Sequence, residues 1–253
     1  MSTDAIVPAR PASAVVLARE SMAGGFEVFM VRRHIKSDFV PDVFVFPGGS
    51  VTDDDRAVEQ LADLCGPGVD GPTRLGMGFR AAAIRECFEE AGVLLARRGN
   101  EMLGVSEDVA DRYLAYRTAL YQHELTLADI MRREQLTLAT DSLVHWAHWI
   151  TPEALPKRFD THFFLAHMPE AQEPTHDRIE TTESMWIRPA DALAEHERDN
   201  FPIVFATLHQ LRALAEMNDL MSVATHFVAP PPTIMPRVVA RNGRDVILLP
   251  DEE

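Results

Sequence analysis

The chain has 253 residues, enough for one large domain or two small ones, and 46% of them are hydrophobic, ample for a sizeable core. Apolar stretches far shorter than the roughly 20 residues of a spanning helix, no leader pattern and only two cysteines, Cys65 and Cys87, argue against a membrane span or a disulfide framework and for a cytoplasmic setting. A net charge of -15 opposes a grip on nucleic-acid phosphates, and an enzyme this acidic acting on an anionic substrate would need metal ions to offset the repulsion.

Residues 13–19 and 26–33, rich in Val, Phe and Met and flanking Ala23-Gly24-Gly25, read as two strands joined by a turn. A third, buried strand at 43–46 runs into Pro47-Gly48-Gly49, a stop that leaves backbone carbonyls and amides uncovered by side chains. Residues 50–78 form an irregular stretch holding Asp53, Asp54, Asp55 and Asp63, then Gly66-Pro67-Gly68 and Gly71-Pro72, with one short helix expected over 56–64. A helix over 79–91 puts Ala81, Ile84, Phe88 and Ala91 on one face and stops at Gly92. Helical patterns follow at 106–121 and 126–134, then strands at 144–150, 159–167 and 185–187. Residues 189–196 and 202–217 read as helices, the second opening with Pro202 in its first turn. Beyond Pro230-Pro231-Pro232, the segments 237–240 and 245–249 flank Asn242-Gly243, a strong hairpin signal.

Strands and helices mixed without regular alternation imply an α/β sandwich. Residues 1–220 form the expected domain, with an insertion at about 56–78, and 221–253 a C-terminal extension. The hairpin of that extension is expected to add to a sheet edge, of its own domain or of a second subunit in a homodimer, because an isolated hairpin is marginal in water.

The chemistry sits on the 79–91 helix. Glu86 and Glu90 are four residues apart and Glu89 is three on from Glu86, so three carboxylates project along one side. Like charges at that spacing repel, and Arg85 offers one positive partner, best placed for Glu89 four residues on. Clustered carboxylate oxygens suit hard divalent cations such as Mg2+ or Mn2+, which commonly share their remaining positions with substrate phosphates. Taken alone the cluster would read as a solvated helix face; the preceding Phe46-Pro47-Gly48-Gly49 changes the balance.

Together these segments resemble the signature of the Nudix hydrolases: Gly, five residues, Glu, seven residues, then Arg-Glu-apolar-x-Glu-Glu-x-Gly-apolar. Arg85, Glu86, Cys87, Glu89, Glu90, Gly92 and Val93 fill the second half, and Gly49 with Asp55 fills the first, aspartate standing for glutamate. Between Asp55 and Arg85 lie 29 residues instead of seven, and this Gly-Pro-rich, acidic excess suits an outward excursion. A branch of the family that includes a mammalian organellar coenzyme A diphosphatase resembles the chain in carrying such an insertion. Arg158-Phe159-Asp160-Thr161-His162-Phe163-Phe164 and the stretch 180–189 with Trp186 extend the likeness over roughly residues 12–218.

The resemblance implies an α/β/α sandwich with a mixed sheet and a metal-dependent hydrolase of a diphosphate linkage in a nucleoside diphosphate derivative, with coenzyme A or an acyl-coenzyme A as the branch-level substrate. It implies Mg2+ or Mn2+ bound by Glu86, Glu89, Glu90 and a backbone carbonyl of Gly48 or Gly49, with Arg85 orienting a carboxylate. It also implies a general base in a loop ahead of a late strand, the region of Glu180 and Glu183. Arg33 matches one arginine of the pattern that marks coenzyme A-cleaving members, whereas Asp38 and Asp42 occupy its next arginine and glycine positions. The competing class is a non-catalytic Nudix-fold nucleotide-binding or regulatory module. The split box and Asp55 favour it; the intact 85–93 half, which a module without chemistry has no physical reason to need, opposes it.

Ten histidines invite a zinc reading, above all His145-Trp146-Ala147-His148 with His162, His167 and His176. On a regular strand His145 and His148 point to opposite faces, as do Trp146 and Trp149, so the expectation is half-buried sheet histidines and core tryptophans.

Overall fold

A computed structural model of the chain describes residues 6–37, 40–66, 75–220, 230–241 and 243–252. The expected turn residues Pro67, Gly68, Gly71, Pro72 and Asn242, and Asp38 of the substrate pattern, lie outside the described residues.

Strands β1 (Arg10–Glu20) and β2 (Phe26–Arg33) pair antiparallel next to their connecting turn, Ala18 with Val28 and Glu20 with Phe26. Farther along they part. The short strands β3 (Phe44–Val45) and β4 (Gly48–Ser50) fill the fork, β3 on β2 and β4 on β1. The Pro47 carbonyl accepts the Val15 N–H at 2.8 Å, so the Gly48-Gly49 pair is pinned inside the sheet rather than left on a free loop.

Thr52 and Asp55 cap α1 (Asp53–Ala57) reciprocally, the Asp55 N–H donating to the Thr52 hydroxyl and the Thr52 N–H to the Asp55 carboxylate. The single helix expected over 56–64 is instead the end of α1 followed by two 3-10 turns, 58–60 and 62–64. Helix α2 (Met77–Ala91) ends at Gly92, whose φ of 72° is the left-handed conformation that glycine adopts without a Cβ penalty. Strands β5 (Ala96–Arg98) and β6 (Glu101–Met102), helices α3 (Glu107–Tyr121) and α4 (Leu127–Glu134), and strand β7 (Thr137–Leu138) follow, β5 pairing with both β6 and β7 in a small separate sheet.

The main sheet is completed by β8 (Val144–Ile150), β9 (Phe159–His167) and β10 (Thr181–Ile187), and its strand order is β10-β2-β1-β9-β8. It is mixed, β1 and β9 running parallel for nine residues while the neighbouring pairs run antiparallel. Side chains alternate as strand geometry requires. Val15, Leu17, Phe29, Val31, Phe164 and Ala166 pack toward α2, and Ala14, Val16, Val28, Met30, Phe163 and Leu165 pack on the other face. There α5 (Pro189–Glu197) and α6 (Phe205–Ala215) cover them with Ala192, Leu211 and Leu214. The result is the expected α/β/α sandwich, in which each large side chain so buried contributes roughly 1.5–3 kcal/mol. Helix α6 opens three residues later than expected. The Pro202 carbonyl accepts the Phe44 N–H at 2.8 Å and Ile203 bridges Phe44, which keeps the chain extended up to Val204.

Strand β8 departs from regular alternation. His145 pairs with Phe164 but Ala147 with the adjacent Phe163, so Trp146 is an extra residue in a β-bulge. The bulge shifts parity by one. His145 and His148 therefore share a face, contrary to the even-odd expectation, and Trp146 and Trp149 both belong to the core on the α5–α6 side.

In the C-terminal extension, β11 (Thr233–Ile234) adds parallel to β8 at the sheet edge, while β12 (Arg237–Arg241) and β13 (Arg244–Leu248), among the described residues, pair with each other. The edge-adding segment is thus a strand ahead of the hairpin. Among the described residues no helix is long and apolar enough to cross a membrane.

Candidate active site

Helix α2 lies over the fork with its C-terminal half against β4. A Cβ on Gly49 would stand 2.4 Å from Glu86 Oε1, and one on Gly48 would stand 2.5 Å from the Ala14 Cβ, so neither position tolerates a side chain without a shift. The Gly48 N–H donates to Glu90 Oε2 at 2.9 Å. The two box segments, 42 residues apart at Gly48 and Glu90, are therefore in direct contact.

Arg85 joins the rest. Its Nε donates to Asp55 Oδ1 at 3.0 Å and its Nη2 to Asp55 Oδ2 at 3.1 Å, while Nη2 also reaches the Ser50 carbonyl at 2.8 Å. The same guanidinium pairs with Glu86 Oε1 at 2.9 Å and Glu89 Oε2 at 2.6 Å. Asp55 is 2% exposed. The aspartate thus seats against Arg85 despite being one methylene shorter than glutamate. The insertion leaves after Asp55 and returns beside it, since the Gly78 N–H in the first turn of α2 donates to Glu59 Oε1 at 3.1 Å. An acidic group there also suits the positive end of the helix dipole. At the other end, buried Arg117 donates to the Glu89 and Thr175 carbonyls at 2.8 and 2.9 Å, satisfying one of the helix's last free acceptors. Sequence spacing gave no signal for Arg117.

Burial, offset by Arg85 and reinforced by Glu89, pushes the Glu86 carboxyl up to about 8. Burial and then Glu86 raise Glu90 well above the carboxylate range, against the pull of the Gly48 N–H and Arg33. Burial likewise raises Glu89. Burial works against the Arg85 charge, but Glu86, Asp55 and Glu89 outweigh it and hold its pKa above the ordinary value. Arg85 faces Asp55, Glu86 and Glu89, and with buried Glu90 beside them the four carboxylates outnumber the one guanidinium they surround. Glu86, Glu89 and Glu90 offer oxygen donors only, which fits a hard divalent cation.

The two base candidates part company. Glu180 is exposed to solvent yet close enough for its charge to raise Glu86, Glu89 and Glu90, and crowding by surrounding atoms, then Asp177, raises its own pKa. A tight turn holds it: Asp177 accepts the Ile179, Glu180 and Thr181 N–H groups, and the Glu180 carbonyl accepts the His34 N–H at 2.8 Å. Glu183 follows a register shift in β10 and pairs with Arg32, on the face of Met185 and Ile187 away from α2. Arg33 shares parity with Phe29 and Val31 on the α2 face, and its charge lowers both Glu90 and Glu180. Asp42 is bonded to Arg32 at 2.8 Å.

Seen across the whole chain, this is the Nudix architecture: a mixed sheet forked around a Gly-Gly turn, with a glutamate-bearing helix over the fork. The crystal structure of a Nudix hydrolase from Alicyclobacillus acidocaldarius has the same fold, with a TM-score of 0.73 over 90% of this chain and all of that one at 24% identity. The family model described as the NUDT19 Nudix domain matches residues 68–214, more than half of the chain, and the chain belongs to that family. A putative nudix hydrolase 7 of Caenorhabditis elegans is 29% identical over 214 residues, covering 83% of this chain and 62% of its own length. The human acyl-coenzyme A diphosphatase NUDT19 is 26% identical over 253 residues, covering 83% of this chain and 67% of its own. The chain thus spans between about three fifths and two thirds of the length of these relatives.

Proposed function

We propose that the chain is a divalent-metal-dependent diphosphatase that cleaves the phosphoanhydride of a nucleoside diphosphate derivative, with coenzyme A or an acyl-coenzyme A as its substrate. The observation that carries this reading is the closure of the split box. Glu86 and Glu90 meet the Gly48-Gly49 backbone, and Asp55 takes its place on Arg85, although 29 residues intervene. Relatives named acyl-coenzyme A diphosphatase support the substrate.

Glu86, Glu89, Glu90 and a carbonyl of Gly48 or Gly49 would hold Mg2+ or Mn2+, which when bound acts as a Lewis acid on the phosphate. Arg85 fixes Glu86 and Glu89 in place. Glu180 is the general base: its raised pKa brings it nearer to neutrality, where a base exchanges protons most effectively, and the Asp177 turn fixes its backbone beside the cluster. Arg33 offers positive charge to the substrate phosphates from the same face.

The test is a panel of coenzyme A, acyl-coenzyme A, ADP-ribose, NADH and dinucleoside polyphosphates with Mg2+ or Mn2+, products identified by mass spectrometry. Cleavage of coenzyme A compounds at the phosphoanhydride is expected, giving an (acyl-)phosphopantetheine and an adenosine bisphosphate with one water consumed. No turnover of any compound with either metal would overturn the reading.

A further inference from the structure

Next to the carboxylate site the same sheet face carries a second set of metal-ligand side chains that diphosphate hydrolysis does not use. His148 on β8 and Asp160 and His162 on β9 each bring one donor atom within 4.8 Å of the other two, the one such group of three among the described residues. The bulge at Trp146 creates it by turning His148 to the face of His162, its register partner.

Each imidazole has its far nitrogen engaged. His162 Nδ1 bonds His145 Nε2 at 3.0 Å, and His148 Nδ1 bonds the Thr233 hydroxyl of β11 at 2.8 Å. The other two nitrogens converge on one carboxylate oxygen: Asp160 Oδ1 is hydrogen-bonded to His148 Nε2 at 2.5 Å and lies 3.9 Å from His162 Nε2. Outer partners that fix the tautomer and tilt of each ring are the arrangement found around metal-bound histidine. The site is walled on one side by the Phe79 ring of α2, edge-on to His162 at 4.6 Å, and Asp160, the most exposed of the three with a third of its side chain open, gives an ion its way in. Ser13, fully buried with a hydroxyl that has no hydrogen-bond partner among the described residues, stands beside His162 in the β1–β9 ladder.

We propose that His148, Asp160 and His162 form a second metal site, for a zinc-class transition ion, separate from the glutamates. Two imidazoles and one carboxylate suit Zn2+, Co2+ or Ni2+, whereas Mg2+ prefers oxygen alone. Loading takes one proton from between His148 and Asp160 to solvent, and the His148 ring tilts out of its stack on His162, where the centroids are 3.9 Å apart. One register row, Gly49, Ser13, His162, His148, Thr233, crosses five strands. At about 4.8 Å per strand the ion sits at least ~10 Å from Gly49. It would fasten the β11 segment of the tail to the sheet.

The experiment uses the full chain carrying Glu86→Gln and Glu90→Gln, so that the carboxylate site is removed, titrated with Co2+ and followed by visible absorption. One Co2+ per chain with a four- or five-coordinate spectrum, displaced by Zn2+ and weakened by at least about 100-fold on adding Asp160→Asn or His148→Gln, is expected. Where that background fails to fold, histidine ring 15N spectra of the wild-type chain serve instead: Zn2+ in the presence of excess Mg2+ should shift His148 and His162 first. Absence of Co2+ uptake in the folded background, uptake unchanged by either added substitution, or unmoved His148 and His162 signals would overturn the proposal.

Discussion

Two ionisable groups lie on the same sheet face, under opposite halves of α2, and they are assembled in opposite ways. The carboxylates come from a single helical turn, so their spacing is fixed by 3.6 residues per turn whatever the sheet does. The imidazoles come from two strands, and one inserted residue, Trp146, decides whether they meet. In the first group Arg85 holds Glu86 and Glu89 through separate nitrogens. In the second the donor atoms already converge. A helix-borne site tolerates a distant insertion; a strand-borne site depends on register.

The largest expected effect separates the two groups by function. Glu90→Gln keeps an acceptor for the Gly48 N–H and so the fold, yet should lower kcat by about 10^3-fold or more in the diphosphatase assay. Glu180→Gln should cost roughly 10^2-fold, within the usual range for a general base. Glu183→Gln, on the far face with Arg32, should stay within about twofold, well short of the loss of a proton-transferring group. A larger loss at Glu183 than at Glu180 would reverse the assignment of the base.

The same contrast explains what could be read from residues alone. Arg85, Glu86, Glu89 and Glu90 stand together because helical spacing is a property of contiguous sequence. Gly48 and Gly49 were legible as a stop in the chain, and the resemblance supplied their pairing with the helix. Bulges left no comparable signal. The one at Trp146 reversed the expected facing of His148, and the register shift ahead of Glu183 puts that residue on the sheet face away from α2. Strands β5, β6 and β7, two or three residues long, are too short to show alternation, and Pro202 reads as a helix opener until its carbonyl is bonded to Phe44.

A medium effect probes the insertion. Asp55→Ala removes a buried partner of Arg85 and should destabilise the chain by about 3–5 kcal/mol, measured by urea unfolding. Asp55→Glu restores the residue usual in the family and keeps the charge, so it should lose under about 1.5 kcal/mol if the seat can widen by one methylene. A neutral Asp55→Ala would mean that Glu86, Glu89 and the Ser50 carbonyl satisfy Arg85 without it.

The smallest effect sets the two groups against each other through pH. Glu86 is raised to about 8, so the stability tied to its protonated form is complete below the ordinary glutamate range and is lost as pH rises through 8. Burial, then His148, pushes His145 down to about 4 and His162 to about 3, so their contribution is complete above the ordinary histidine range and is lost as pH falls through those values. Between about pH 4.5 and 6.5 the two slopes oppose, and the metal-free chain should show a plateau of thermal stability there. Above it Glu86, and below it each histidine, changes stability by at most ~1.4 kcal/mol per pH unit, about 3–6 °C in a chain of this size. Glu86→Gln should flatten the alkaline fall, His145→Phe should soften the acid one, and Mg2+ should restore stability at pH 8 but not at pH 5, where protons hold the carboxylates. Equal stabilisation by Mg2+ at both pH values would place its binding away from Glu86.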